Sequence, residues 1–168
     1  RTTTDEAERQ KALDQARIGL ERSIRLVGQM LAIARIDHRQ AQADVIWLDL
    51  SEIAQGVCAE LALLALRRDQ TLELIAAPEP TRMAGSPDLL HRLIPNLVDN
   101  ALRYARDGGN IVVEVRRTST GVRLTVQDDG PGIPADQLDR VFDRYYRLAD
   151  QGPRGTGLGL AICRTIAE

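Results

Sequence analysis

Asn96, Asn100 and Arg103 stand four and three positions apart, so in a helix all three leave from one face. Two carboxamides there could offer neutral oxygens to a hard cation such as magnesium, which keeps several waters and takes its other oxygens from phosphate. Arg103 could pair with phosphate oxygens through its planar fork. The same residues also suit a wet helix face that binds nothing. Further on stands Asp128-Asp129-Gly130-Pro131-Gly132-Ile133-Pro134. Glycines let a backbone approach a flat ligand closely, and an acid at a strand end can accept from an exocyclic amine; an ordinary tight turn uses the same residue types. The third stretch is Gly155-Thr156-Gly157-Leu158-Gly159-Leu160-Ala161-Ile162. Backbone N–H groups in a glycine-rich turn that opens a helix favour phosphate. No Gly-Lys-Ser/Thr follows, so this is not a P-loop, and Gly155, Gly157 and Gly159 are spaced GxGxG, not the GxGxxG of dinucleotide sites.

Each stretch needs an element to hold it. Ser86-Pro87-Asp88 combines a capping side chain, a proline in the first turn and an acid at the positive end, which predicts the start of the helix carrying the asparagines. Leu89, Leu93, Leu97 and Ala101 are its expected buried face, and its end is expected near Asp107-Gly108-Gly109. Residues 111–117 and 122–127 alternate Val and Leu with charge, as a half-buried hairpin joined through Ser119-Thr120-Gly121 should. Upstream, residues 45–48 read as a short strand and Asp49 with Glu52 as a helix-capping pair. A helix through Ile53, Val57, Leu61 and Leu64 follows, then a strand at 71–76 with Glu73 outward. A last helix is predicted at 158–167. The expected fold class is α/β, a two-layer α/β sandwich with helices on one face of a mostly antiparallel sheet. Ahead of it, Leu13, Ala16, Leu20, Ile24, Val27, Leu31 and Ala34 form one stripe of a long helix over residues 1–40. Such a stripe calls for a bundle or dimer partner, or for the surface of its own domain. Residues 39–44 read as a polar joint.

Composition narrows the partners. A net charge of -2 with 27% charged residues gives no electrostatic reason to expect nucleic acid or an acidic membrane surface. Lys11 is the sole lysine, so a phosphate-contacting cation in the body of the chain must be an arginine. No apolar run approaches the ~20 residues of a spanning helix and the first dozen residues are polar, so a soluble piece is expected. Cys58 and Cys163 have no cysteine nearby and read as buried free thiols in a reducing compartment.

Taken in order, the stretches resemble the catalytic domain of bacterial-type sensor histidine kinases. NLVDNALRY is similar to that family's N box, DDGPGIP to the first glycine box, VFDRYYR to the F box and GTGLGLAI to the second glycine box. The resemblance covers residues 44–168 as the catalytic ATP-binding domain and implies Mg-ATP as ligand. It implies that Asp128 binds the adenine amine and that Asn100, helped by Asn96, holds magnesium. Arg103, Tyr104, Gly130, Gly132 and Ile133 would complete the N-box side of the nucleotide site. Tyr146 and Arg147, with Phe142, would border a lid over about 143–154, and Gly155, Thr156, Gly157, Leu158, Gly159 and Leu160 would hinge it over the phosphates. Residues 1–40 resemble the second helix of the family's dimerisation and phosphoacceptor hairpin. A homodimer through that helix, an acceptor-histidine helix and a response regulator are then the implied partners. The implied location is the cytoplasmic portion of an inner-membrane kinase.

Several positions depart from the family pattern. The helix with the acceptor histidine is missing, and neither His38, in Asp37-His38-Arg39, nor His91 has the neighbours of that site, so the chain is not expected to phosphorylate itself. The usual N-box lysine is Arg103 and the usual F-box phenylalanine is Tyr145. Pro95 falls inside the predicted helix, where it removes a hydrogen bond; a local kink that re-aims Asn96 is one explanation. By the resemblance the last helix would continue and two strands would follow, making this catalytic domain short at its C-terminus. Gyrase, chaperone and mismatch-repair ATPases of the same fold resemble one another in having glutamate where this chain has Asn96. A carboxylate can deprotonate attacking water and a carboxamide cannot, so transfer is expected over hydrolysis. Another ATPase or serine kinase of this fold, or a non-catalytic dimerisation module, are the alternative readings.

Overall fold

The computed structural model describes residues 44–148 and 156–167, together with Gly19. The chain divides into two compact units, Arg1–Ala41 and Gln42–Glu168. Gly19, helical and exposed, is the described residue of the first, so the expected stripe helix lies outside the described residues, as do positions 149–155.

Strand β1 (Ile46–Asp49) leads into helix α1 (Leu50–Leu66). Asp49 is extended and caps α1 by accepting from the Ser51 N–H at 3.0 Å. Its carboxylate also accepts from the hydroxyl of the fully buried Thr81 at 2.7 Å and from the Thr81 N–H at 3.2 Å. The cap is therefore also a tie to the chain entering β3. Helix α1 buries Leu50, Ala54, Val57 and Ala65, with Ile53, Leu61 and Leu64 packed partly against them.

Beyond α1 come β2 (Thr71–Ala76), β3 (Arg82–Gly85), helix α2 (Pro87–Tyr104), β4 (Asn110–Thr118), β5 (Gly121–Asp128) and helix α3 (Gly159–Ala167). The strands form two sheets. β1 and β3 make an antiparallel ribbon, while β2, β4 and β5 lie side by side in that order. β4 is antiparallel to β5, as the hairpin pattern predicts, but β2 runs parallel to β4. The larger sheet is thus mixed, because α2 returns the chain to the same end of the sheet before β4 begins. Its inner face holds Ile111, Val113 and Val115, all fully buried, flanked by Leu72 and Leu74 and by Leu124 and Val126. Helices α1 and α2 pack on that face and α3 packs on α2. The outer face, with Glu73, Arg116 and Arg123, is exposed.

Two expectations about α2 need correction. The deepest line on it is Leu90, Ile94, Val98 and Leu102 with Ala101, whereas Leu89, Leu93 and Leu97 are only half-buried. Helix α2 touches α1, α3 and both central strands, so its apolar arc is wide, and the line nearest the sheet is one residue on from the line expected. The helix also ends at Tyr104, not near Gly108-Gly109. Side chains remote in sequence meet carbonyls in its last turn and just beyond it. Arg68 donates to Leu102 O at 2.7 Å, and the buried Gln70 donates to Arg106 O at 3.1 Å.

Candidate functional site

Asp128 closes β5 opposite Ile111, whose side chain is in the core. Residues facing each other across an antiparallel pair share a face, so the Asp128 carboxylate lies on the helix side of the sheet, with α2. It accepts from the Gly130 N–H at 2.9 Å, which folds the first glycine box back over the strand end. Gly130 is pressed against the last turn of α2. A Cβ there would collide with the carbonyl oxygen of Tyr104 and sit 2.7 Å from Asp128 Oδ1. The N box and the first glycine box thus meet at one point. Gly132 has φ +74, a conformation that glycine tolerates without strain, and Ile133 beside it is exposed. Asp129, to which the sequence reading gave no role, accepts from Arg106 N–H at 3.4 Å and Asn110 N–H at 3.1 Å. It ties the box to the loop between α2 and β4.

Along α2, Asn96, Asn100, Arg103 and Tyr104 are all half-buried, neither in the core nor free in solvent. The Asn96 amide nitrogen donates to Arg92 O at 2.8 Å. Its oxygen is directed toward Gly159, the first residue of α3, where a Cβ would lie 3.6 Å away. The N box therefore also meets the second glycine box. Arg103 pairs with Asp99 one turn back at 2.5 Å; that partner was not foreseen. Two neutral amide oxygens and an arginine on one half-buried helix face fit a divalent cation that arrives already carrying phosphate oxygens.

The second glycine box is gripped by the F box. The Tyr145 N–H donates to Gly157 O at 2.9 Å. Gly157 has φ +70, and a Cβ there would sit 2.7 Å from the Tyr145 carbonyl carbon. Tyr145 itself has φ +66, a region costly for a bulky side chain. Tyr146 donates its hydroxyl to Gln137 at 2.5 Å, and the Arg140 guanidinium lies 4.4 Å from its ring centre. Neither partner was predicted, because both come from the short 3-10 turns Ala135–Gln137 and Arg140–Phe142, which lack a periodic pattern. Arg147, Thr156 and Leu160 are half-buried and Leu158 is fully buried. Gly155 and positions 149–154 of the expected lid lie outside the described residues. A groove of about 350 Å³ lined by Ile75, Pro78, Glu79 and Arg117 opens at the opposite end of the larger sheet, so it is no part of this site.

The region 85–168, which contains all of these motifs, matches the family described as histidine kinase-, DNA gyrase B- and HSP90-like ATPases. The chain belongs to that family. Sensor kinases are among its relatives. It is 35% identical to the sensor protein QseC of Salmonella typhi over 97% of this chain and 35% of that protein. It is 33% identical to the sensor protein kinase PmrB of Pseudomonas aeruginosa over 94% and 33%. The mycobacterial sensor histidine kinase MprB superposes with a TM-score of 0.62 at 30% identity, over 73% of this chain and 77% of that one. The cytoplasmic segment of the histidine kinase QseC gives 0.58 at 26% identity, over 88% and 78%. The chain spans about a third of the length of the curated relatives it matches. It carries the catalytic ATP-binding domain of a sensor histidine kinase, and the α/β fold expected from its motifs is the fold of that kinase domain. Among the described residues of the kinase domain, no helix is long and apolar enough to cross a membrane.

Both cysteines of the kinase domain are free. Burial pushes the Cys163 thiol up to about 12, and raises the half-buried Cys58 thiol as well. Only Cys163 is fully buried, so the expectation of two buried thiols holds for one.

Proposed function

We propose that this domain binds Mg-ATP and passes the γ-phosphoryl group to a histidine on the dimerisation helix of the intact kinase, for relay to a response regulator. The observation that supports this best is the double meeting at α2: its C-terminal turn lies against the first glycine box and its middle against the second. A carboxylate at the strand end then reads the adenine amine, and the glycine-rich turn at the start of α3 faces the phosphates. Asn96 and Asn100 would hold magnesium, which when bound offsets charge on the phosphate oxygens. Arg103 can exchange Asp99 for a phosphate oxygen through its second N–H edge. In the transfer a histidine nitrogen bonds to the γ-phosphorus as the bond to the bridging oxygen breaks, and ADP leaves. Because Asn96 cannot take a proton from water, hydrolysis should remain slow.

In the intact protein, residues 1–40 are the second helix of the dimerisation hairpin, the kinase acts as a homodimer, and residues 44–168 belong to the cytoplasmic portion of an inner-membrane sensor. Titration with Mg-ATP by calorimetry tests the binding reading: the parent chain should bind, Asp128→Asn should abolish binding and Asn100→Ala should weaken it severely. Labelled ATP mixed with a separately supplied hairpin bearing the acceptor histidine should label the hairpin. Label on this chain instead would overturn the assignment of the acceptor.

A further inference from the structure

The ladder between β4 and β5 ends on the pair Ile111 and Asp128, so Asn110 and Asp129 are the next two positions along it. There the half-buried carboxylate of Asp129 accepts the Asn110 N–H at 3.1 Å and, with its other oxygen, the Arg106 N–H at 3.4 Å. It thus spans both ends of the loop that joins α2 to β4. That loop is shaped to receive it. A Cβ on Gly109 would collide with Asp129 Oδ1 and lie 2.8 Å from Arg106 O, so glycine at 109 is what leaves room for the carboxylate. The loop is in turn a fixed object. Arg106 O accepts from the buried Gln70 side chain at 3.1 Å and from the Gly109 N–H at 2.9 Å. Gly109 O accepts from the Thr71 N–H at 2.9 Å, at the start of β2.

This clasp lies one peptide away from Asp128. The Asp128 side chain is exposed, and one of its oxygens is taken by the Gly130 N–H at 2.9 Å. Among the described residues its carboxylate has no hydrogen-bond partner outside the first glycine box. Its direction is therefore set by the backbone on either side, which is the β5 ladder before it and the clasp after it. We propose that Asp129 is a positioning residue for adenine recognition: by holding Arg106 and Asn110 it fixes the peptide that follows Asp128 and aims the carboxylate that reads the exocyclic amine. The inference rests on the reading of Asp128 as the adenine acceptor. A hydrogen bond weakens steeply as it bends, so an exposed acceptor discriminates only while its support keeps it in line.

Purine riboside diphosphate lacks the amine that ADP carries, and the two ligands together isolate this contact. With magnesium, the parent 168-residue chain should bind ADP at least about tenfold more tightly, the scale of one hydrogen bond to a charged group. Asp128→Asn is the reference and should show no preference. Asp129→Ala should lose most of the preference while its affinity for the purine analogue stays near the parent's. Asp129→Asn keeps an acceptor for one of the two N–H groups and should fall in between. Gly109→Ala, which crowds the carboxylate out of its seat, should lower the preference in the parent and remove nothing more from Asp129→Ala. If the parent shows no preference, or Asp128→Asn keeps it, Asp128 does not read the amine and both readings fall. If Asp128→Asn loses the preference and both Asp129 variants keep it in full, the adenine reading stands and the role of Asp129 is overturned. Equal loss of affinity for both ligands, with a lower melting temperature, would make Asp129 only a structural tie, which also overturns the proposal. Should Asp129→Ala not fold, Asp129→Asn decides: a reduced preference supports the role and the parent's preference overturns it.

Discussion

The two glycine-rich turns of the kinase domain are held by different means. The first sits between fixed objects, the end of a central hairpin and the last turn of α2, with Asp128 and Asp129 tying it to its own backbone and to the next loop. The second rests on the F box, where Tyr145 and Gly157 grip each other through backbone groups, both at positive φ. Phe142 and Tyr145 there are exposed. A turn clamped by a strand register cannot move without loss of the sheet. The second turn is anchored on one side by the buried Leu158, but its Gly157 end is held only by a loop and can shift at smaller cost than the first turn.

Adding a methyl group to each turn tests this difference. Gly130→Ala is expected to have the largest effect, because the Tyr104 carbonyl and Asp128 carboxylate it would strike are both fixed. The domain should lose ~1–3 kcal/mol of stability, with nucleotide affinity falling in parallel, read by chemical denaturation and analogue titration. Gly157→Ala puts a side chain at φ +70 against Tyr145, a strain of order 1–3 kcal/mol if the loop stays in place. Here the loop should give way, so affinity should fall about tenfold while the melting temperature hardly moves. Equal loss of stability in the two variants would break the comparison.

Two smaller effects sharpen it. Asp49→Ala removes a cap and the tie to Thr81, far from both turns. It should cost ~1–2 kcal/mol and leave affinity unchanged. The Thr81 hydroxyl bond, with the Ser51 N–H, holds the Asp49 carboxyl below its ordinary range. Its contribution is therefore complete above about pH 3.9, the value for an unfolded aspartate, and is lost as the pH falls through the lower folded value. Asp49→Asn should flatten that acid limb in a pH series of melting curves. Tyr146→Phe removes only the hydroxyl bond to Gln137 and should cost ~1 kcal/mol, with a slight rise in the dissociation constant as the sole effect on binding.

The motifs were readable because each is a short run of unusual residue types, and β2 was readable because Leu72 and Leu74 alternate with Thr71 and Glu73. The hairpin was placed to within one residue at each end because Ser119-Thr120-Gly121 marks its turn. Less was legible on α2, where Leu89, Leu93 and Leu97 are as apolar as Leu90, Ile94 and Val98, and only the neighbouring elements decide between the two lines. Its end was missed for a similar reason. The donors that meet the carbonyls at and just past its end, Arg68 and Gln70, come from before β2, and no local signal announces them. The parallel pairing of β2 with β4 joins strands separated by α2. Asp129 and Gln137 act through contacts between loops, which no spacing rule encodes, whereas Asp99 and Arg103 stand one helical turn apart, a spacing that could have shown the pair.

The placement of Cys163 gives the domain an internal clock. Its sulfur lies against the Leu93 carbonyl of α2 at 3.7 Å, and with its thiol raised to about 12 almost no thiolate exists at neutral pH. With Cys163 only 5% exposed, alkylation would require α3 to lift away from α2. The rate of that labelling, with Cys58 as a second site on another helix, would report such openings and whether nucleotide changes them.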